Sequence, residues 1–261
     1  MEIVIKADPQ EAGRLAAAVV AAQLAEKPNS VLGLATGNTP LILYRELVEM
    51  YEKGAIDFSR VTTFNLDEYI GLAADHPASY HQYMYRHLFS RINVPGHRIH
   101  IPDGRAPDLA EHCRQYEGAI RVAGGIDLQI LGIGSEGHIG FNEPSSSLAS
   151  RTRIKTLTEQ TRRDNAACFT GESEMPFHVI TMGVGTILES RTCLLLANGA
   201  AKAEALRLMI EGPVSSMVPA SALQMHPRVI VVLDEAAAAG LKRCDYYRWV
   251  YNNKPTWQKY E

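Results

Sequence analysis

The sequence predicts an α/β fold in three layers: a mostly parallel, Rossmann-like sheet with helices on both faces, in one domain over residues 1–261. Two observations predict it. Short apolar runs alternate with longer stretches of helical period along nearly the whole chain, which is the pattern of β-α units. The polar segments with chemical potential sit directly after the apolar runs, where such sheets bind ligands. A length of 261 residues with 46% hydrophobic residues suffices for one large core without demanding two.

The elements follow in order. Residues Glu2 to Lys6 read as a short strand. Asp8-Pro-Gln-Glu11 then supplies an N-cap, a proline at the first helical position and a capping-box acid, opening an alanine-rich helix to about Glu26. Ser30 to Ala35 reads as a buried strand, and Thr39-Pro40 starts a helix with Leu43, Leu47 and Met50 at helical spacing. Val61 to Leu66 is the next strand; Ser79 to Ser90 and Asp108 to Val122 are helices. Ile126 to Leu131, Val179 to Val184, Thr192 to Ala197 and Val229 to Leu233 complete the strands, with a helix over Ala200 to Ile210. The polar segment 145–176 is either a flap over the site or a surface excursion, and the polar tail after Tyr251 is expected to be loosely held.

Composition removes several function classes. A net charge of −3 gives no electrostatic footprint for nucleic acid or an anionic membrane. No apolar run is long enough to span a bilayer, and the alanine-rich start lacks a basic leader, so a cytoplasmic location is expected. Cys113, Cys168, Cys193 and Cys244 are scattered without a CxxC pair, as structural thiols would be.

Four strand ends carry the candidate chemistry. Leu34-Ala-Thr-Gly-Asn-Thr-Pro40 is a strand–turn–helix whose Thr36, Gly37, Asn38 and Thr39 suit an anion; the same residues fit a plain helix start with Thr39 as N-cap. No Walker lysine follows. At Thr62 to Tyr69 two adjacent carboxylates, Asp67 and Glu68, end a strand, and neighbours on an extended chain point apart, so one at most faces a site. Asp67 is either a general base or a turn aspartate. Gly132 to Pro144 places Glu136, His138 and Glu143 close together among four glycines, an arrangement for acid–base work. Its Gly132, Gly134 and Gly137 imitate a dinucleotide fingerprint. Asn142-Glu-Pro144 follows instead of a helix, however, and arginines stand about where an acid is needed. His138 and Glu143 are too few ligands for a metal site. Asn198 to Ala203 opens a helix with Lys202, a second anion contact or a solvated lysine.

Together these segments resemble the glucosamine-6-phosphate deaminase family. The resemblance rests on Leu32 to Pro40, Phe64 to Tyr69, Gly132 to Pro144, Ser147 to Arg153 and Gly183-Val-Gly-Thr186, in order over nearly the whole chain. It implies conversion of glucosamine 6-phosphate to fructose 6-phosphate and ammonia, with no metal or organic cofactor. It also implies roles: Asp67 moves the proton from C2 to C1, and His138 shuttles protons in ring opening under the influence of Glu143 and Glu136. The substrate phosphate sits on the Thr36–Thr39 turn with Lys202. Similar enzymes add a flap arginine where this chain has Ala167, and often carry Asp or Asn at the position of Glu136. Some relatives are hexamers activated by N-acetylglucosamine 6-phosphate, and the matching Ser146, Arg153 and Lys155 are present, so a homo-oligomer and an effector site are among its implications. Rivals are a 6-phosphogluconolactonase, which lacks the Phe141-Asn-Glu143 and Asn65-Leu-Asp67 segments, a galactosamine-6-phosphate enzyme, and a non-catalytic sugar-phosphate sensor.

Overall fold

The computed structural model describes residues 1–166, 169 and 175–260; Ala167, Cys168 and part of the expected flap lie outside them. In its first half the chain runs β1 (Glu2–Lys6), α1 (Pro9–Glu26), β2 (Val31–Leu34), α2 (Pro40–Glu52), β3 (Thr62–Asn65), β4 (Asp67–Tyr69), α3 (Tyr80–His87), β5 (Ile99–His100), α4 (Leu109–Val122) and β6 (Leu128–Leu131). It continues with β7 (Arg153–Thr156), α5 (Glu159–Asn165), β8 (His178–Thr181), α6 (Val184–Leu188), β9 (Thr192–Ala197), α7 (Ala203–Glu211), β10 (Val229–Asp234), α8 (Glu235–Ala238) and α9 (Cys244–Asn252). The expected caps form: the side chains of Asp8, Ser79 and Asp108 accept from the N–H groups of Glu11, Gln82 and Glu111.

Seven strands make a sheet in the order β1-β10-β9-β6-β2-β3-β5, and every neighbouring pair is parallel. Strands β2, β6, β9 and β10 are buried along their whole length, which is why they read as unbroken apolar runs rather than alternating ones. From β2 the chain moves outward through β3 to β5, then returns to the other side of β2 as β6 and moves outward through β9 and β10. The order therefore reverses between β2 and β6. A crevice opens at the carboxyl ends of two such strands, and the segments leaving these ends are Ala35–Thr39 and Gly132–Pro144.

A second sheet, β4-β8-β7, is antiparallel and pairs Asp67 with Thr181 and Arg153 with Thr181. This corrects the expectation for 179–184, whose strand belongs here and not in the main sheet. An apolar run announces burial but not its partner. Leu66 is the joint between the sheets: its N–H donates to Leu34 O at 3.0 Å and its carbonyl accepts from Met182 N at 2.7 Å. The described part of segment 145–176 contains β7 and α5. Its root is fixed by buried Glu117 of α4, which accepts from Thr152 N, Thr152 Oγ1, Thr186 Oγ1 and Arg151. Burial opposes ionisation of Glu117, but these hydrogen bonds outweigh it and lower its pKa. The tail is held, contrary to expectation: Lys254 Nζ pairs with Glu2 at 2.7 Å, and Tyr260 packs against the core.

Candidate active site

The turn after β2 forms one wall. Gly37 has φ +101°, a backbone state that a side chain would strain, and this turns Thr36–Thr39 around the strand end. Thr39 precedes α2 but does not cap it: its side chain makes no cap hydrogen bond, and its hydroxyl donates to Asn198 Oδ1 at 3.4 Å. The plain N-cap reading is thereby removed. Tyr83 Oη donates to Gly37 O at 2.6 Å, and the Tyr80 hydroxyl donates to Tyr69 Oη at 3.3 Å. Helix α3 thus braces the turn from outside, while Gly37 and Asn38 stay exposed.

Asp67 and Glu68 point apart, as adjacent strand residues must. Glu68 turns to α3 and accepts from the N–H groups of Tyr80 and His81 and from His81 Nδ1 at 2.9 Å. Asp67 turns to the crevice. A methyl group on Gly140 would lie 3.4 Å from Asp67 Oδ2 and 2.9 Å from Thr181 Oγ1. The Asp67 carboxyl therefore lies against the loop that carries His138. Among the described residues no donor serves it, and burial, with Glu68 adding repulsion, pushes its pKa up to about 8. The turn-aspartate reading does not hold for a residue inside a strand pair without a turn hydrogen bond.

No helix follows β6, so the glycine pattern there serves another purpose. His138 folds back over Gly134: a methyl on Gly134 would meet His138 Cε1 at 2.0 Å and Nε2 at 2.1 Å. Gly134 N donates to His138 O at 2.9 Å and closes the loop. Burial lowers the His138 pKa, Glu143 and Asp164 oppose that shift, and Lys202 adds to it. The imidazole is therefore neutral near pH 7 and able to accept or pass on a proton. Its Nδ1 is buried without a hydrogen-bond partner among the described residues.

Glu143 is buried but does not orient His138 by a direct hydrogen bond. Both its oxygens accept from Thr158 N, at 2.9 and 3.1 Å, and Oε1 also accepts from Thr158 Oγ1 at 3.0 Å. Thr158 is the N-cap of α5, so Glu143 acts on His138 through its charge and ties the α5 segment to the site. Glu136 is exposed, and the charges that shift the His138 pKa are those of Glu143, Lys202 and Asp164. A residue at the tip of the glycine loop points to solvent because the chain reverses there, with Gly137 N donating to Gly134 O.

Lys202 lies in the turn after β9, half-buried, and makes no ion pair among the described residues. Burial lowers its pKa, and Asp164 is the carboxylate that opposes this. The turn is anchored through Gly199, whose N–H donates to Asp234 Oδ1 at 3.0 Å. The residues matched to an effector site adjoin the end of the His138 loop: Ser146 N donates to Glu143 O at 3.0 Å. Arg153 and Lys155 share one face of β7, Arg153 Nη1 donates to Asn142 Oδ1 at 2.8 Å, and buried Ser146 Oγ has no described partner.

Sequence reading missed Tyr80, Tyr83, Thr158, Asp164, Thr181 and Asn198. Most were assigned to helices or loops by period alone. The only available signal was Tyr80 and Tyr83 on one helical face, which core packing explains equally well.

Comparison with known proteins gives a consistent result. A family model described as glucosamine-6-phosphate isomerases/6-phosphogluconolactonase matches residues 7–231. The chain is 54% identical over 258 residues to the glucosamine-6-phosphate deaminase of Arthrobacter sp. (strain FB24), covering 99% of each. It is 53% identical over 259 residues to that of Mycolicibacterium smegmatis, again covering 99% of each. Among solved structures, a monomeric glucosamine-6-phosphate deaminase superposes with a TM-score of 0.90 at 45% identity, covering 92% of this chain and 100% of that one. The 6-phosphogluconolactonase of Trypanosoma cruzi superposes with a TM-score of 0.72 at 20% identity, covering 92% and 97%, a likeness of fold.

Proposed function

Since the chain belongs to the glucosamine-6-phosphate isomerase/6-phosphogluconolactonase family, we propose that its crevice converts glucosamine 6-phosphate and water to fructose 6-phosphate and ammonia. The observation that carries this reading is Asp67: a buried carboxylate with no described donor, placed against the His138 loop at the switch point of the sheet. A lactonase hydrolyses an ester and needs no such base; an aldose–ketose isomerase does.

The proposed sequence of steps is short. His138, neutral and close to Glu143, moves a proton between O1 and the ring oxygen and opens the sugar. Asp67 takes the proton from C2, leaving an enol-amine across C1 and C2, and returns it at C1. The product is an imine at C2, which water hydrolyses to the ketone, releasing ammonia. Carboxylates are weak bases towards carbon acids, so burial that raises the pKa of Asp67 suits the task. The substrate phosphate is assigned to the Thr36–Thr39 turn and Lys202, which face each other through Thr39 and Asn198. No step is assigned to Glu136. A cytoplasmic location belongs to the same reading; among the described residues no helix is long and apolar enough to cross a membrane.

The test is ammonia and fructose 6-phosphate release from glucosamine 6-phosphate, compared with galactosamine 6-phosphate and 6-phosphogluconolactone. Turnover of the first is expected. No ammonia from either amino sugar would sink the reading. Ser146, Arg153 and Lys155 are carried as an effector site for N-acetylglucosamine 6-phosphate. In support, Ser146 Oγ is buried without a described partner, and Arg153 lines a cavity of about 560 Å³. The expected result is a rate curve that shifts with that compound; a hyperbolic curve indifferent to it would remove the effector site.

A further inference from the structure

Asp164 lies on α5, exposed, on the side of the flap that meets the crevice. Its Oδ2 accepts from Ser135 Oγ at 3.3 Å, and its Oδ1 accepts from Gln160 Nε2 at 2.8 Å. Ser135 belongs to the loop that leaves β6, so the hydrogen bond draws the flap acid towards the site loop. The charge of Asp164 is felt by both Lys202 and His138. Lys202 has no ion-pair partner among the described residues; its turn and the Ser135 loop that holds Asp164 leave the carboxyl ends of the neighbouring parallel strands β9 and β6, and the charge of Asp164 opposes the lowering of the Lys202 pKa by burial.

We propose that Asp164 sets substrate affinity by competing with the sugar's phosphate for Lys202. The inference rests on the reading that the phosphate binds at Lys202 and the Thr36–Thr39 turn. In the empty site the flap carboxylate partly balances the lysine. An arriving phosphate brings close to two negative charges to the same place. Either α5 withdraws Asp164, breaking its contact with Ser135, or the two anions share the crevice and repel. Both routes weaken phosphate binding. Charges several ångströms apart in a wet cleft interact modestly and are screened by salt, so a roughly 3- to 10-fold change in affinity is expected.

The probe is inorganic phosphate, titrated into the whole protein by calorimetry and as a competitive inhibitor. Asp164→Asn, Ser135→Ala, Lys202→Met and the Asp164→Asn/Lys202→Met pair are compared, with folding checked by circular dichroism. Asp164→Asn should bind phosphate roughly 3- to 10-fold tighter, with the gain shrinking at ~0.5 M salt. Its KM for glucosamine 6-phosphate should fall in the same direction. Ser135→Ala should show a smaller gain, because Asp164 loses its tether. In the Lys202→Met background the gain from the Asp164 substitution should shrink to the part that direct repulsion between carboxylate and phosphate supplies. A purely structural role for Asp164 would loosen the flap and weaken binding instead. Weakened phosphate binding in Lys202→Met together with unchanged or weaker binding in folded Asp164→Asn would overturn this inference alone. Unchanged binding in Lys202→Met would overturn the phosphate reading and the pairing with it.

Discussion

Asp67→Asn is expected to bind substrate and to lose ~10²–10⁴-fold in kcat for ammonia release. The amide keeps the shape that rests against Gly140 and Thr181, so the crevice is not remodelled. It cannot take the C2 proton. The wild-type rate should carry the signature of the same group. With its pKa pushed up to about 8, the base is largely protonated at neutral pH, so kcat/KM should climb as the pH rises through about 8 and level off above it. The variant's residual rate should lack that limb. Substrate affinity measured by calorimetry separates binding from chemistry. Near-normal turnover by Asp67→Asn would remove this residue as the base.

The same substitution should stabilise the protein, and in a defined pH range. The carboxyl titrates near 3.8 when unfolded and near 8 when folded. Between those values the folded state holds a proton that the unfolded chain has released, so the contribution of Asp67 to stability falls as the pH rises. Above about 8 its ionised, desolvated form carries the full penalty. Asp67→Asn should therefore melt above wild type at about pH 9, with the gap closing towards pH 4. Each ~1 kcal/mol recovered corresponds to roughly 2–4 °C in a protein of this size. A variant that melts no higher than wild type at high pH would mean the carboxylate is better solvated than its burial implies. Loss of activity with gain of stability is the behaviour of a group held ionisable against its surroundings for its chemistry.

Local elements were legible in the sequence; side-chain partners set by topology were not. The strands that became β2, β6, β9 and β10 announced themselves because burial on both faces makes an unbroken apolar run. The divergence of Asp67 and Glu68 followed from the pleat alone. The strand β7, in contrast, carries alternating charge within a polar stretch, and only its pairing with β8 makes it a strand. Glu143 looked like a partner for His138 because the two are close in sequence, yet its oxygens go to Thr158, which no local pattern connects to it. Sequence proximity to His138 also suggested Glu136 as a neighbour of the imidazole, and Glu136 is exposed at the tip of the loop. Asp164, whose charge opposes the lowering of the His138 and Lys202 pKa values, lies in a helical stretch with nothing to mark it.

The glycines of the loop after β6 offer the second large effect, because two of them give opposite expectations. Neither Gly132 nor Gly134 has a positive φ, so alanine suits the backbone at both. At Gly132 an added methyl meets nothing within 4 Å; at Gly134 it falls within 2.4 Å of three atoms of the His138 ring. Gly134→Ala must therefore displace the imidazole, and a shift of ~1 Å in a catalytic group can cost ~10²-fold, so a loss of that size or more in kcat/KM is expected. Gly132→Ala should be close to wild type. If the loss arises through His138, the Gly134→Ala/His138→Ala pair should be no slower than His138→Ala alone, since a ring already absent cannot be displaced. Additive losses in that cycle, or equal damage from Gly132→Ala, would mean that these glycines serve the loop backbone. The expected outcome explains why a dinucleotide-like glycine spacing stands here with no helix after it: the second glycine makes room for the protein's own histidine, in the space that a pyrophosphate-binding loop leaves for its ligand.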